Sequence, residues 1–238
     1  MKYRVTVCIV VASIITILYS IRTTFSFRIV FCDVGQGAAT LLQAGTYQMI
    51  IDTGPDRRIL SCIGRHIPFF DRTIETIIIS HAQKDHNGGL GAIQHKYKVI
   101  QVIGEIKTPT TISFHNCAIK IVKASQSSKN ANDAANVVTI KTPLHTIFIT
   151  SDINGVELKQ LMPISTSILV VPHHGSKYGL YPDSLDLAHP SLAVISVGKK
   201  NSYGHPSKDS LAILKAKKIP IWRTDEKGEL VIDLNARL

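Results

Sequence analysis

The sequence predicts an α/β fold of four layers, αββα: two β-sheets packed face to face with helices on both outer sides. Three observations predict it. Short apolar runs broken by glycines dominate the chain. Strand-like runs come first, helices and strands then alternate, and this order occurs twice, which suits two packed sheets better than one parallel sheet. The length, 238 residues, and the 45% apolar content provide one sizeable core, and no internal repeat is present.

The first 24 residues stand apart. Lys2 and Arg4 precede the uncharged run Val5–Ile21, and Arg22 closes it. As a helix this run spans roughly 25 Å, the short end of what a bilayer core demands. It exceeds the apolar core of a secretory signal, and no small-x-small cleavage site follows. Residues 1–24 are therefore read as a hydrophobic signal-anchor helix and residues 25–238 as one folded domain facing outside the cytoplasm, the short basic N-terminus staying inside. A cleaved signal and a buried first helix are the alternatives.

In the folded domain, RIVFCDV (28–34), AATLLQA (38–44) and YQMIID (47–52) read as strands. Residues 57–70 carry apolar side chains at helical spacing. TIETIIIS is a buried strand, and Gly88–Tyr97 is helical. KVIQVIG, AIKIVKA, VVTIK and HTIFITS are further strands, and Ser125–Ala135 is a polar loop. Helices at Gly155–Met162, Pro182–Ala188 and Ser207–Lys217 then alternate with the strands TSILVVP, SLAVISV and IPIWRT, and ELVIDL closes the chain.

The formal charge is +10, with clusters at Lys199–Lys200 and at Lys215, Lys217 and Lys218. Such a surface suits nucleic acid or anionic lipid, and equally a solvated face. Cys8, Cys32, Cys62 and Cys117 show no C-x-x-C spacing. They are read as small buried apolar residues, not as a disulfide framework or zinc knuckle.

The chemistry sits where apolar runs stop. MIIDTG ends on Asp52, IIISHAQKDH on His81, Asp85 and His86, IFITSDI on Asp152, and LVVPHHGS on His173 and His174; NSYGHPS adds His205. Each alone has an ordinary explanation as a turn former, cap or satisfied histidine. Together they supply the imidazole and carboxylate donors that hold Zn²⁺ or Mn²⁺. His81, Asp85 and His86 share one tight loop, Asp152 offers two oxygens for bridging, and Gly88 and Gly89 let the backbone pass close to the site.

The segments FCDVGQG, MIIDTG, SHAQKDHNGG, FITSDI, VVPHHGS and YGHPS resemble, in order and spacing, the metallo-β-lactamase-like domain of the ComEC family of DNA-uptake competence proteins, from about Phe31 to the C-terminus. The resemblance implies an αββα sandwich with a centre of one or two divalent ions between the sheet edges, and nuclease activity on DNA. It implies metal ligands at His81, Asp85, His86, Asp152 and His173, and Asp52 holding the Nδ1–H of a ligand histidine. Asp85, His174 and His205 form the catalytic set, the two histidines as candidate acids for the leaving oxygen. Ser176 and Lys177 are candidates for holding a phosphate. DNA, the membrane and a separate DNA-channel protein are the expected partners.

Four departures qualify this. Gln83 stands where the superfamily loop H-x-H-x-D-H has histidine and the ComEC relatives aspartate. Ala38 replaces an aspartate, Ser151 a glycine, and NDAAN (132–136) lacks a serine. They weaken the ion position that uses His81 and leave intact in type the one built from Asp85, His86, Asp152 and one histidine of the 173–174 pair. The alternatives are a non-catalytic DNA-binding or scaffold relative, and a metallohydrolase acting on a lipid or cell-wall phosphodiester.

Overall fold

The computed structural model of the chain describes residues 2–24, 27–125, 130, 132, 134–186 and 188–238. The first sheet contains β1 (Phe27–Phe31), β2 (Ala39–Ala44), β3 (Tyr47–Thr53), β4 (Thr73–Ile78), β5 (Lys98–Ile103) and the C-terminal β13 (Leu230–Asp233), in the order β13-β1-β2-β3-β4-β5. The second contains β6 (Thr110–Phe114), β7 (Cys117–Lys123), β8 (Asn136–Lys141), β9 (Thr146–Ile149), β10 (Ile168–Val170), β11 (Leu192–Ile195) and β12 (Ile221–Arg223), in the order β12-β11-β10-β9-β8-β7-β6.

Each sheet begins antiparallel and turns parallel. In the first, β3, β4 and β5 run parallel; in the second, β9, β10, β11 and β12 do. Both parallel blocks therefore end their strands at one edge, where loops gather.

The core explains the unbroken apolar runs. Ile29 and Phe31 face the second sheet with Leu42, Met49 and Ile51, meeting Ile119, Ile121, Val138, Ile140 and Ile149. The alternate residues Val30, Leu41, Ile50 and Ile77 face outward under α2 (Ile59–His66) and α4 (Leu90–Lys96). Phe148, Leu169 and Ala193 likewise lie under α5 (Gly155–Leu161) and α6 (Lys208–Ala216). A strand buried on both faces loses its polar alternation. Both outer helices of the second half start on capping side chains, Asn154 Oδ1 accepting from Val156 N at 2.8 Å and Ser207 Oγ from Ser210 N at 3.1 Å.

The structure corrects several expectations. The tight loop after β4 contains a short helix, α3 (Lys84–Asn87), which carries Asp85 and His86. Pro182–Ala188 forms turns over its described residues, held by i→i+3 bonds such as Ser184 N to Tyr181 O at 3.0 Å. The polar strand β6 was not expected; it exists by pairing as an edge with β7. The loop predicted at Ser125–Ala135 lies largely outside the described residues.

The cysteine reading is also corrected. Cys32 and Cys62 are buried as predicted but form a disulfide with Cα atoms 5.9 Å apart, joining the end of β1 to α2. Sequence spacing hides such a pair because the fold creates the proximity. Glu229 adds a second tie, accepting from Arg65 and lying 3.0 Å from His66 Nε2.

The N-terminal segment is helical as α1 (Lys2–Thr24), with Val5, Ile9 and Ile14 exposed. The expected membrane span is not supported: among the described residues no helix is long and apolar enough to cross a membrane.

Candidate metal centre

Every element of the site leaves a strand end at the shared edge, and the backbone turns sharply as it does. Asp52 (φ 57°), Ser151 (φ 54°), His173 (φ 50°) and His174 (φ 55°) all occupy the left-handed region. Asp and His enter that region more readily than most side chains, yet each such residue costs about 1–3 kcal/mol. Four of them around one point is a concentration of strain that bland turn formation does not require.

Close backbone packing holds α3 in place. A Cβ on Gly88 would lie 2.2 Å from Pro55 O, and one on Gly89 2.3 Å from Thr53 O. Ala38 N donates to Asp85 O at 3.1 Å, so the β1–β2 loop grips the same turn.

The result is a convergence of Asp85, His86, Asp152 and His174, whose donor atoms all lie within 4.8 Å of one another. His86 is fully buried and places Nε2 3.0 Å from Asp152 Oδ1. His174 places Nε2 3.2 Å from Asp85 Oδ2 and 3.7 Å from Asp152 Oδ1. On the far side of each ring sits an acceptor: Asp52 Oδ2 at 2.7 Å from His86 Nδ1, and Ser196 O at 2.8 Å from His174 Nδ1. Each Nδ1 therefore carries the proton, and each Nε2 turns a lone pair into the cluster.

Two imidazole lone pairs and two carboxylates facing one another repel unless a cation lies among them. His86 Nε2 and Asp152 Oδ1 are buried and face each other at 3.0 Å, with no other hydrogen-bond partner among the described residues. The charges respond accordingly. Burial alone pushes His86 down, but the Asp152 and Asp52 carboxylates overcome it and hold the imidazole well above its ordinary value. Burial likewise depresses His174, and Asp152 and Asp85 raise it on balance. Burial would raise Asp152, but His86 and His174 hold it far below the usual carboxylate range. Asp85 follows the same pattern: burial raises it, and the His174 hydrogen bond together with the charges of His86 and His174 lowers it on balance. Without a metal, protons supply the missing positive charge. The residues fit a divalent cation held by mixed nitrogen and oxygen donors.

The other expected residues are distributed around this cluster. His173 was expected among the metal ligands and His174 in the catalytic set; in the structure it is His174 that lies in the four-donor group. Successive left-handed residues send the two rings apart, so buried His174 joins the cluster while His173 stays partly exposed, its Nε2 3.7 Å from Asp152 Oδ2. His205 stands beyond it, ring centroids 5.8 Å apart, with its Nδ1 buried and unpartnered among the described residues.

His81 lies beside His86, ring centroids 4.2 Å apart, outside the four-donor group. Its Nδ1 is 2.9 Å from Ser80 Oγ and 3.2 Å from Ser151 Oγ, and its Nε2 is buried without a partner among the described residues. Gln83, at the N-cap position of α3 but with no side-chain bond to the helix, donates its side-chain amide to Asn132. Ser176 is buried and its Oγ accepts from Tyr178 N, whereas Lys177 lies on the surface with Nζ 4.8 Å from the Tyr178 ring centre. Asp52 accepts from Ser80 N and Ser80 Oγ as well as facing His86. Sequence reasoning missed Ser80, whose only signal was its place at the end of an apolar run. It also missed the Ser196 carbonyl, which no sequence pattern marks.

A two-sheet sandwich with a carboxylate–imidazole cluster at the strand ends defines the class of metal-dependent hydrolases. Residues 32–180 match the Metallo-beta-lactamase superfamily, and the chain belongs to it. Curated relatives are ComE operon protein 3 of Bacillus subtilis, 24% identical over 83% of this chain and 32% of that protein, and Recombination protein 2 of Haemophilus influenzae, 24% identical over 84% and 28%. Competence protein ComA of Neisseria gonorrhoeae is 23% identical over 85% of this chain and 31% of that protein. The chain thus spans about a third of the length of these relatives. Among solved structures, YhfI of Bacillus subtilis, a metallo-beta-lactamase fold protein, superposes with a TM-score of 0.61 at 13% identity, covering 87% of this chain and 99% of that one. Tm1679, described as a metal-dependent hydrolase of the beta-lactamase superfamily, gives 0.57 at 13% identity with the same coverage. These likenesses carry the fold alone.

Proposed function

We propose that the protein is a metal-dependent phosphodiesterase that cleaves DNA. The observation that carries the hydrolase part is the convergence of Asp85, His86, Asp152 and His174 with both histidine tautomers fixed from behind. These four residues would hold one Zn²⁺ or Mn²⁺. A divalent ion bound there lowers the pKa of water towards neutrality and offsets charge developing on the phosphate.

The chain's own residues do the rest. Asp52 and Ser196 orient the ligand rings. His205 and His173 stand at the open side of the centre, where His205 protonates the leaving oxygen; burial lowers its pKa, so the acid form is most populated below neutral pH. The formal charge of +10 draws the polyanion without reading sequence.

The competence-protein relatives support DNA as the substrate. Placement outside the cytoplasm and partnership with a separate channel protein belong to the same proposal; the Cys32–Cys62 disulfide supports an oxidising compartment. A non-catalytic DNA-binding relative is the second reading, favoured by Gln83 being tied to Asn132. The test is metal content of the purified protein, followed by cleavage of labelled DNA with Mn²⁺ or Zn²⁺, with Asp152→Ala as control. Stoichiometric metal with cleavage lost in Asp152→Ala is expected. Metal-free protein, or equal cleavage by the variant, overturns the proposal. Hydrolysis of a lipid phosphodiester without DNA cleavage moves the substrate to that class.

A further inference from the structure

The mouth of the centre is walled by aromatic rings for which the hydrolytic chemistry has no use. On one side Tyr178 and Tyr181, with Asp152, Asn154 and His173, line a groove of about 310 Å³, near the lower bound of the usual 300–1,000 Å³ for ligand sites. The groove is built, not incidental. Gly155 N donates to Tyr178 O at 2.9 Å, and a Cβ on Gly155 would lie 2.4 Å from the Tyr181 ring, so the start of α5 fixes both tyrosines. On the other side Tyr203 lies parallel over His205 at 5.9 Å and 17°, and His205 meets His173 at 5.8 Å. His173 is thus flanked by both ring systems.

These rings are open. Tyr178 is 59% and Tyr203 69% exposed. Tyrosine carries a large apolar body that folding normally covers. Each ring already has one neighbour, Lys177 Nζ over Tyr178 and the His205 ring stacked on Tyr203, and the surface that stays exposed suits a flat partner. The lining offers amide, phenol and imidazole groups beside the Asp152 carboxylate, and next to it Lys177 places a cation 4.8 Å from the Tyr178 ring centre, within reach of a phosphate on a stacked strand.

We propose that Tyr178 and Tyr203 stack unpaired nucleobases on either side of the phosphodiester to be cleaved, making single-stranded nucleic acid the substrate. The inference rests on the phosphodiesterase reading above and gives it a specificity. A duplex keeps its base faces stacked inside, whereas an unpaired strand presents them. Ring faces exist on every base, so recognition is sequence-tolerant. A lipid headgroup has no such face and gains nothing from either tyrosine.

The experiment compares the full chain with Tyr178→Ala, Tyr203→Ala, the double variant and the two Tyr→Phe variants. Binding of a labelled oligothymidine strand and of an abasic strand of equal length is measured by anisotropy in EDTA. The wild type should prefer the thymidine strand. Each alanine should reduce that preference about 5- to 150-fold, the range of base–aromatic stacking, and phenylalanine should restore it. Equal wild-type affinity for both strands, or alanine variants that keep the preference, overturns the proposal. Cleavage assays with Mn²⁺ separate the two readings. A base-dependent affinity without cleavage fails the phosphodiesterase reading and leaves the stacking surface standing. Cleavage of abasic and thymidine strands at the same rate by every variant does the reverse.

Discussion

Asp52 Oδ2 lies 2.7 Å from His86 Nδ1, and both residues are buried. That contact decides which nitrogen of His86 faces the centre. Asp52→Asn keeps the size, and asparagine tolerates the left-handed backbone that position requires. Its amide, however, can donate as well as accept, so the tautomer is no longer imposed. Metal affinity should fall about 10- to 100-fold with little change in the circular dichroism spectrum. A competitive chelator titration measures it; unchanged affinity would show that the contact does not orient the ring.

The charge balance of the metal-free cluster predicts opposite pH responses for the two forms. His86 has a folded pKa raised well above 6.5, so its stabilising contribution is complete below 6.5 and is lost as pH rises through the folded value. Asp152 has a depressed pKa, so its contribution is present above 3.8 and is lost as pH falls through the folded value. The apo protein therefore draws most from the pair between about pH 4 and 6.5. Metal binding requires the imidazole unprotonated, so affinity rises with pH. Thermal unfolding with EDTA and with excess Mn²⁺ should give a gap in Tm that widens from pH 6 to pH 8. A gap that stays constant would mean the cluster does not exchange protons for the ion.

Gly88 tests the local geometry. A methyl group there meets Pro55 O at 2.2 Å and Lys84 O at 2.5 Å, backbone atoms that cannot swing aside. Gly88→Ala should displace α3, with Asp85 and His86 on it, and lower stability by about 1–3 kcal/mol as an overpacked site does. Urea unfolding reads the stability and a chelator titration the site. Wild-type values in both would show that α3 adapts freely.

Much of this site was legible because its donors sit at the ends of apolar runs. Asp52, Asp85, His86 and Asp152 announce themselves where Ile51, Ile79 and Ile149 stop, and parallel strands bring such ends to one edge. The choice between His173 and His174 was not legible, since adjacent residues look alike in sequence and only the left-handed backbone separates their rings. The Cys32–Cys62 pair was hidden for a related reason: β1 and α2 are neighbours only after the sheet forms. Tyr178 and Tyr203 carried no periodic signal, because exposed loop aromatics are set by loop geometry and not by the core.

Gln83 bears on how many ions bind. One four-donor group contains Asp85, His86, Asp152 and His174, and His81 remains beside it with a buried Nε2. The neutral amide of Gln83, occupied with Asn132, contributes no charge to a position around His81. The wild type should therefore bind one Mn²⁺ per chain. Gln83→Asp supplies a carboxylate next to His81 and keeps a residue suited to capping α3. Its stoichiometry should approach two ions by calorimetry, with spin-coupled signals in electron paramagnetic resonance. Two ions in the wild type, or one in the variant, would refute this account of Gln83.

The disulfide offers a last check, on stability instead of chemistry. Cys32 and Cys62 are separated by 30 residues and close a loop that contains β2, β3 and the start of α2. Constraining a loop of that length in the unfolded chain stabilises by roughly 3–4 kcal/mol. Because Asp52 lies within the closed segment, loosening it acts on the centre as well. The double variant Cys32→Ser, Cys62→Ser should unfold at a lower urea concentration, and its midpoint should no longer respond to dithiothreitol. The wild type with dithiothreitol should move towards the variant. If reduction leaves the wild-type midpoint unchanged, the two sulfurs are not bonded in the folded protein, and the support for an oxidising compartment goes with them.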